Sequence, residues 1–237
     1  MRVLVLRPEP AASRTAGKLT ALGHEAVRLP LSKAEHDIAA VKAALTQPHA
    51  AIAITSAEAA RLLAGIGEDL APHRKTPLFA VGEASAEAAR GAGFHTVIIG
   101  GGDGKSLAET ILAHSRPDGP ILYLAGSPRA PGFEHRLEEA DIPFRTVEAY
   151  RMVPLTPSPA EIEAALLAPV PDAALLYSRE SARAFFALPP LAEAPERFRS
   201  LRLLCMSANV AAAAPEPFAA RVAIAAAPDE ESLLALF

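Results

Sequence analysis

The segment Ala50-Ala51-Ile52-Ala53-Ile54-Thr55-Ser56-Ala57-Glu58-Ala59-Ala60-Arg61-Leu62-Leu63 joins a strand to a helix through a serine. Its five leading apolar residues predict a strand buried on both faces, the pattern of a parallel sheet covered by helices. Thr55 and Ser56 end that run, and an alanine-rich helical stretch follows at once. Serine suits the junction because its hydroxyl accepts from a free amide of the first helical turn. The remaining amides and the helix dipole make such a corner a ready seat for an anion.

The pattern returns in Asp172-Ala173-Ala174-Leu175-Leu176-Tyr177-Ser178-Arg179-Glu180-Ser181-Ala182-Arg183-Ala184-Phe185, where Ser178 stands 122 residues after Ser56. A sister corner over residues 78–85, with Gly82 and Ser85, is echoed over 203–210, with Ser207. These are four strand-to-helix corners in two matched pairs.

Outward from the corners, strands are expected at 3–6, 25–29, 96–99, 121–124, 144–147, 201–205 and 222–225. Helices are expected around 12–22, 38–45, 83–90, 105–114, 133–140, 160–167 and 208–214, with a terminal one after Pro228. Gly23 is a plausible helix stop. The alternation of strand and helix predicts parallel sheets flanked by helices. After the loop Arg116-Pro117-Asp118-Gly119-Pro120 the order begins again, which gives two copies of one unit, about 1–118 and 119–237. Each copy is strand–helix–strand, a linker, then a helix and three strand–helix units.

The linkers are the polar residues 32–37 and the proline-bearing residues 150–155. Their matching positions allow each copy to lend its first strand–helix–strand to the other's domain. The expected fold is therefore α/β with two similar lobes, each a parallel five-stranded sheet flanked by helices. Residues 1–31 and 156–237 form the first, discontinuous lobe, and residues 38–149 form the second. Ligands of open parallel sheets bind beyond the carboxyl ends of the strands, so all four corners are expected to face a cleft between the lobes.

Composition narrows the function. The 237 residues are 51% hydrophobic, with a mean hydropathy of +0.21, which fits a buried globular core. No run of about eighteen apolar residues indicates a membrane span. The start lacks the pattern of a signal peptide. One cysteine allows no internal disulfide, and the expected location is the cytoplasm. The net charge of −4 argues against a nucleic-acid partner, yet 18 of the 23 basic residues are arginine, the better bidentate partner for carboxylates. Gly104-Lys105-Ser106 lacks the earlier glycine of a phosphate loop, since that position is Ile99. The seven histidines are scattered without ligand spacing, so no metal is expected. Cys205 ends a strand and reads as core. Glu138, Glu139 and Asp141 read as a solvated helix end, and Lys105 and Arg129 as solvated loop residues.

Val5-Leu6-Arg7-Pro8 with Leu22-Gly23, Ile54-Thr55-Ser56, Ala80-Val81-Gly82 with Ser85-Ala86, Leu137 through Val147-Glu148-Ala149-Tyr150, Tyr177-Ser178 and Cys205-Met206-Ser207 stand in order along most of the chain. In these residues it resembles uroporphyrinogen-III synthase. The resemblance implies a lyase acting on hydroxymethylbilane, a linear tetrapyrrole with eight carboxylates. Its hydroxyl is lost, the last pyrrole ring is inverted through a spiro intermediate, and the macrocycle closes to uroporphyrinogen III. It implies no organic cofactor or metal, delivery of substrate from hydroxymethylbilane synthase, and a monomer. The electron-rich pyrrole can expel hydroxide unaided, so catalysis is expected mainly by positioning, where about 7–11 kcal/mol is available. Two departures stand out. Ser207 and Val210 occupy places where the family commonly has glycine and threonine, and Ala125 stands where an arginine is frequent.

Tyr150 is the candidate catalytic residue, a weak acid for the departing hydroxyl; packing at the linker is its alternative. The candidate substrate-binding residues are Arg7, Thr55, Ser56, Gly82, Ser85, Tyr177, Ser178 and Ser207. For Thr55, Ser56, Ser85 and Ser178 the alternative is plain helix capping, which does not exclude binding at the same corner. The rival function is a two-lobed binding module for a polyanionic small molecule, without chemistry.

Overall fold

In the computed structural model, which describes residues 1–114 and 118–237, the chain divides into two compact units. One is Met1–Lys33 with Val153–Phe237, and the other is Ala34–Met152. Arg116 and Pro117 of the expected boundary loop lie outside the described residues.

The chain opens with β1 (Arg2–Val5), α1 (Ala11–Ala21) and β2 (Glu25–Arg28). Gly23 follows α1 at a φ of 80°, the left-handed conformation that ends helices most cheaply at glycine. Then come β3 (Ser32–His36), α2 (Ile38–Leu45), β4 (Ala51–Ile54), α3 (Ala57–Gly65), β5 (Leu78–Ala80), α4 (Glu83–Gly91), β6 (Val97–Ile99), α5 (Gly104–Ala113), β7 (Ile121–Ser127), α6 (Gly132–Glu139) and β8 (Phe144–Pro154). The remainder is α7 (Pro159–Leu166), β9 (Ala173–Leu176), α8 (Arg179–Phe186), α9 (Pro189–Glu193), β10 (Arg202–Cys205), α10 (Ala208–Ala211), β11 (Val222–Ile224) and α11 (Glu230–Leu234). No helix among the described residues is long and apolar enough to cross a membrane.

The first unit holds a five-stranded sheet in the order β11-β10-β9-β1-β2, parallel throughout. The second holds the order β3-β8-β7-β4-β5-β6, in which β8, β7, β4, β5 and β6 are parallel. The exchange of opening motifs is visible in the pairing: β1 lies against β9, and β7 lies against β4.

The expectation of five strands in each lobe fails for the second sheet, which has six. Most of the residues expected as linkers are strand. The Asp37 amide donates to the Ala149 carbonyl at 2.8 Å and the Leu155 amide to the Leu31 carbonyl at 2.9 Å, so these two stretches run antiparallel. Ser32-Lys33-Ala34-Glu35-His36 has no buried residue. This edge strand is held by main-chain bonds rather than by an apolar face, and it left no hydrophobic pattern to read.

The central strands explain why the corners stand where they do. In β4, Ile52 and Ile54 pack with Leu62, Leu63, Leu78 and Leu122 on one face of the sheet. Ala51 and Ala53 pack with Phe79, Leu107 and Ile111 on the other. In β9, Ala174 and Leu176 join Leu4 and Phe185, while Ala173 and Leu175 join Val3, Val5 and Leu19. Both strands are fully buried, so their carboxyl ends are pinned and the residues after them are held in place.

Candidate functional site

All four corners form. Ser56 caps α3, its Oγ accepting from the Glu58 amide at 3.1 Å. Ser178 caps α8, accepting from the Ser181 amide at 3.1 Å. Ser207 caps the four-residue α10, accepting from the Val210 amide at 3.4 Å. Gly82 occupies the same position before α4 with extended backbone and no side chain to cap. Ser85 is buried in the first turn of α4. Ser56, Ser178 and Ser207 are thus caps, each hydroxyl partly used within its own helix, while Ser85 sits inside its helix and caps nothing.

In the second unit the corners open into a cavity of about 310 Å³ lined by Thr55, Val81, the glycine loop at Gly102 and Gly104, Tyr123, Gly126 and Tyr150. Thr55 Oγ1 lies 2.9 Å from the Tyr123 phenol oxygen, and Tyr123 packs edge-on against Phe133. Burial raises the Tyr123 phenol above its ordinary pKa, against the opposing pull of the Thr55 bond. Asp103 caps α5 by accepting from the Ser106 amide at 2.8 Å. Its carboxylate therefore occupies the helix start that a phosphate would need. Arg129, expected to be solvated, forms a two-pronged pair with Glu134 at 3.0 and 3.1 Å on the rim of this cavity.

Tyr150 is only 8% exposed. It lines this cavity and also a second one of about 340 Å³, shared with Glu35, His36, Asp37, Glu148 and Arg151. Burial raises its phenol pKa; the Ser56 hydroxyl pulls the other way, while the Glu58 charge adds to the rise. The ring lies across Gly126, where β7 and β8 slip register.

In the first unit, Arg7 and Tyr177 are brought together but not left open. Arg7 stacks on the Tyr177 ring at 4.0 Å and pairs with Glu230 at 2.8 Å. The Tyr177 hydroxyl donates to the same carboxylate at 2.8 Å, as do Thr15 and Lys18. The roomiest cavity described, about 510 Å³, lies at the edge strand β2 beside Arg2, Leu155 and Glu161, away from the corners. There Arg2 caps the end of α7 by donating to the Ala164 and Ala165 carbonyls. Cys205 is buried, which pushes its thiol up to about 11. Among the described residues no group of three or more His, Cys, Asp or Glu is placed to hold a metal ion.

Sequence reasoning missed Tyr123, Glu58, His36 and Glu230. Tyr123 alternates correctly on its strand and could have been read as a polar end in a core position. The other three are joined only by tertiary contacts.

Comparison with known proteins follows the same lines. The family model described as uroporphyrinogen-III synthase HemD matches residues 13–235. No curated protein matches the chain. A uroporphyrinogen-III synthetase from Helicobacter pylori superposes with a TM-score of 0.64 at 17% identity, covering 100% of this chain and 98% of that one. A mutant uroporphyrinogen III synthase from Thermus thermophilus gives 0.54 at 21% identity, covering 90% and 87%. At those identities the likeness establishes the α/β fold.

Proposed function

Since the chain belongs to the uroporphyrinogen-III synthase family, an enzyme family of tetrapyrrole biosynthesis, we propose that it closes hydroxymethylbilane to uroporphyrinogen III with loss of water and inversion of the terminal ring. The match over residues 13–235 carries this reading, and the four strand-to-helix corners, three of them capped by serine, support it. Free amides at helix starts suit a substrate bearing many carboxylates.

In this reading Thr55, Ser56, Gly82 and Ser85 hold carboxylates in the second unit, and Ser178 and Ser207 do so in the first. Arg7 and Tyr177 are already engaged by Glu230, so they bind a substrate carboxylate only by exchanging that partner. Tyr150 donates a hydrogen bond to the departing hydroxyl. Burial keeps its phenol protonated, which makes it a steady donor and a poor base. Substrate arrives from hydroxymethylbilane synthase, and the chain acts as a monomer.

The test is to supply the purified protein with freshly generated hydroxymethylbilane, oxidise the products and separate the type I and type III isomers. A protein-dependent excess of type III is expected. If only type I forms while the substrate still binds, the binding-module reading replaces this one.

A further inference from the structure

Glu58 is the one charged residue buried among the described residues. An acid in a first helical turn is normally solvent-exposed while it complements the dipole. This one is instead gripped from two elements. Arg61 donates from Nε at 2.9 Å and again from a terminal nitrogen, and His36 Nε2 lies 2.7 Å from Oε1. A buried ion pair of this kind is weak support for stability, since apolar residues often serve as well. Its geometry fits a different purpose.

His36 closes β3 and shares the 340 Å³ cavity with Tyr150. The Glu58 amide meanwhile donates to Ser56 Oγ. One residue therefore fixes both the imidazole and the serine corner beside the phenol. Departure of hydroxide from the substrate is eased by a proton, and the buried Tyr150 phenol is held above its ordinary pKa. Imidazole is the side chain that exchanges protons nearest neutrality. With Nε2–H given to the Glu58 carboxylate, Nδ1 is the ring nitrogen that can carry a proton to a ligand.

Building on the cyclase reading, we propose that His36 protonates the departing hydroxyl and that Glu58 is the residue that positions it. The carbon–oxygen bond breaks with its electron pair on oxygen, which takes the Nδ1 proton and leaves as water. The pyrrole nitrogen lone pair forms the new carbon–nitrogen double bond, leaving a cation. Formation of the ring-closing carbon–carbon bond consumes that cation, and the proton finally lost from the attacked pyrrole replaces the one His36 gave. The charged groups around the imidazole are Glu58 from α3, Glu35 and Asp37 beside His36, and Glu148 from β8, with Arg61 paired to Glu58 and Arg151 paired to Glu148.

The test measures kcat, KM and isomer ratio against pH for the full chain and for His36→Gln and Glu58→Gln. Expected for His36→Gln is a loss of about 10²-fold in kcat, a KM within twofold, and disappearance of the alkaline limb of the profile. Glu58→Gln should lose about tenfold and move that limb to lower pH. Nitrogen NMR of the wild-type imidazole should show the Nε2–H tautomer titrating in step with the limb, a measurement that needs no variant to fold. A wild type with type III excess whose limb persists in His36→Gln, or is not followed by the imidazole, overturns this proposal alone. A wild type without type III excess overturns the cyclase reading with it.

Discussion

A Gly126→Ala variant is expected to lose about a hundredfold in kcat while remaining folded. A β carbon at Gly126 would lie 2.4 Å from both Cζ and Oη of Tyr150 and 2.8 Å from Cε2. The ring is buried and cannot slide away without repacking, so the phenol must swing out of place. Such overpacking costs about 1–3 kcal/mol of stability, too little to unfold the protein. Displacement of a catalytic group by about 1 Å can remove about 10²-fold of rate. Tyr150→Phe, which keeps the ring in place and deletes only the hydroxyl, should lose a comparable amount. The measurement is kcat and the type III to type I ratio, with a denaturant titration as the control for folding. A Gly126→Ala protein with wild-type kcat and ratio would remove Tyr150 from the mechanism.

The second large effect concerns stability and acid. Burial alone would raise the Glu230 carboxyl, but hydrogen bonds from Lys18, Thr15 and Tyr177 and the charge of Arg7 outweigh it and hold it down at about 2. Against an ordinary 4.5, that depression corresponds to about 3 kcal/mol. The folded pKa is the lower one, so this stability is complete above about pH 4.5 and is lost as pH falls from there toward 2. Glu230→Gln should therefore unfold at lower denaturant by about 3 kcal/mol at pH 7, with the gap closing by about 1.4 kcal/mol for each pH unit below 4.5. Denaturant titrations at pH 7, 5, 4 and 3.5 check this. A gap that is constant across that range would mean the charge of Glu230 is not what ties α11 to β1 and α1.

The elements buried on two faces were legible because their pattern is self-contained. Ile52 and Ile54 need a cover on one side, and Ala51 and Ala53 allow a close one on the other. Ser56 and Ser178 were legible for the same reason, since a cap acts within its own helix. What escaped reading depends on partners distant in sequence. Residues 32–36 carry no apolar face, and their strand exists because β8 offers its edge. Glu58 has the sequence context of an ordinary first-turn acid; only the arrival of His36 from that unread strand marks it out. Glu230 likewise opens a terminal helix as an acid should, and nothing near it in sequence announces Arg7, Thr15 or Tyr177. Tyr150 was placed by family resemblance, and the nearness of Gly126 gives it a physical constraint that sequence lacked.

The exchanged motifs also set a timetable for biosynthesis. β1 sits between β2 and β9, yet β9 begins at Ala173, long after β1 ends at Val5. At roughly 5–20 residues per second, the opening strand–helix–strand leaves the ribosome roughly seven to thirty seconds before its neighbour. Ala34–Met152 is continuous and can fold as it emerges. A nascent chain arrested once Met152 has cleared the exit tunnel should thus give a protease-resistant fragment starting near Ala34, with the first thirty or so residues digested; protection of the amino terminus at that stage would contradict the order. A translational pause between Pro154 and Ala173 leaves a finished domain tethered to an unpaired strand edge, the kind of edge that chaperones exist to cover.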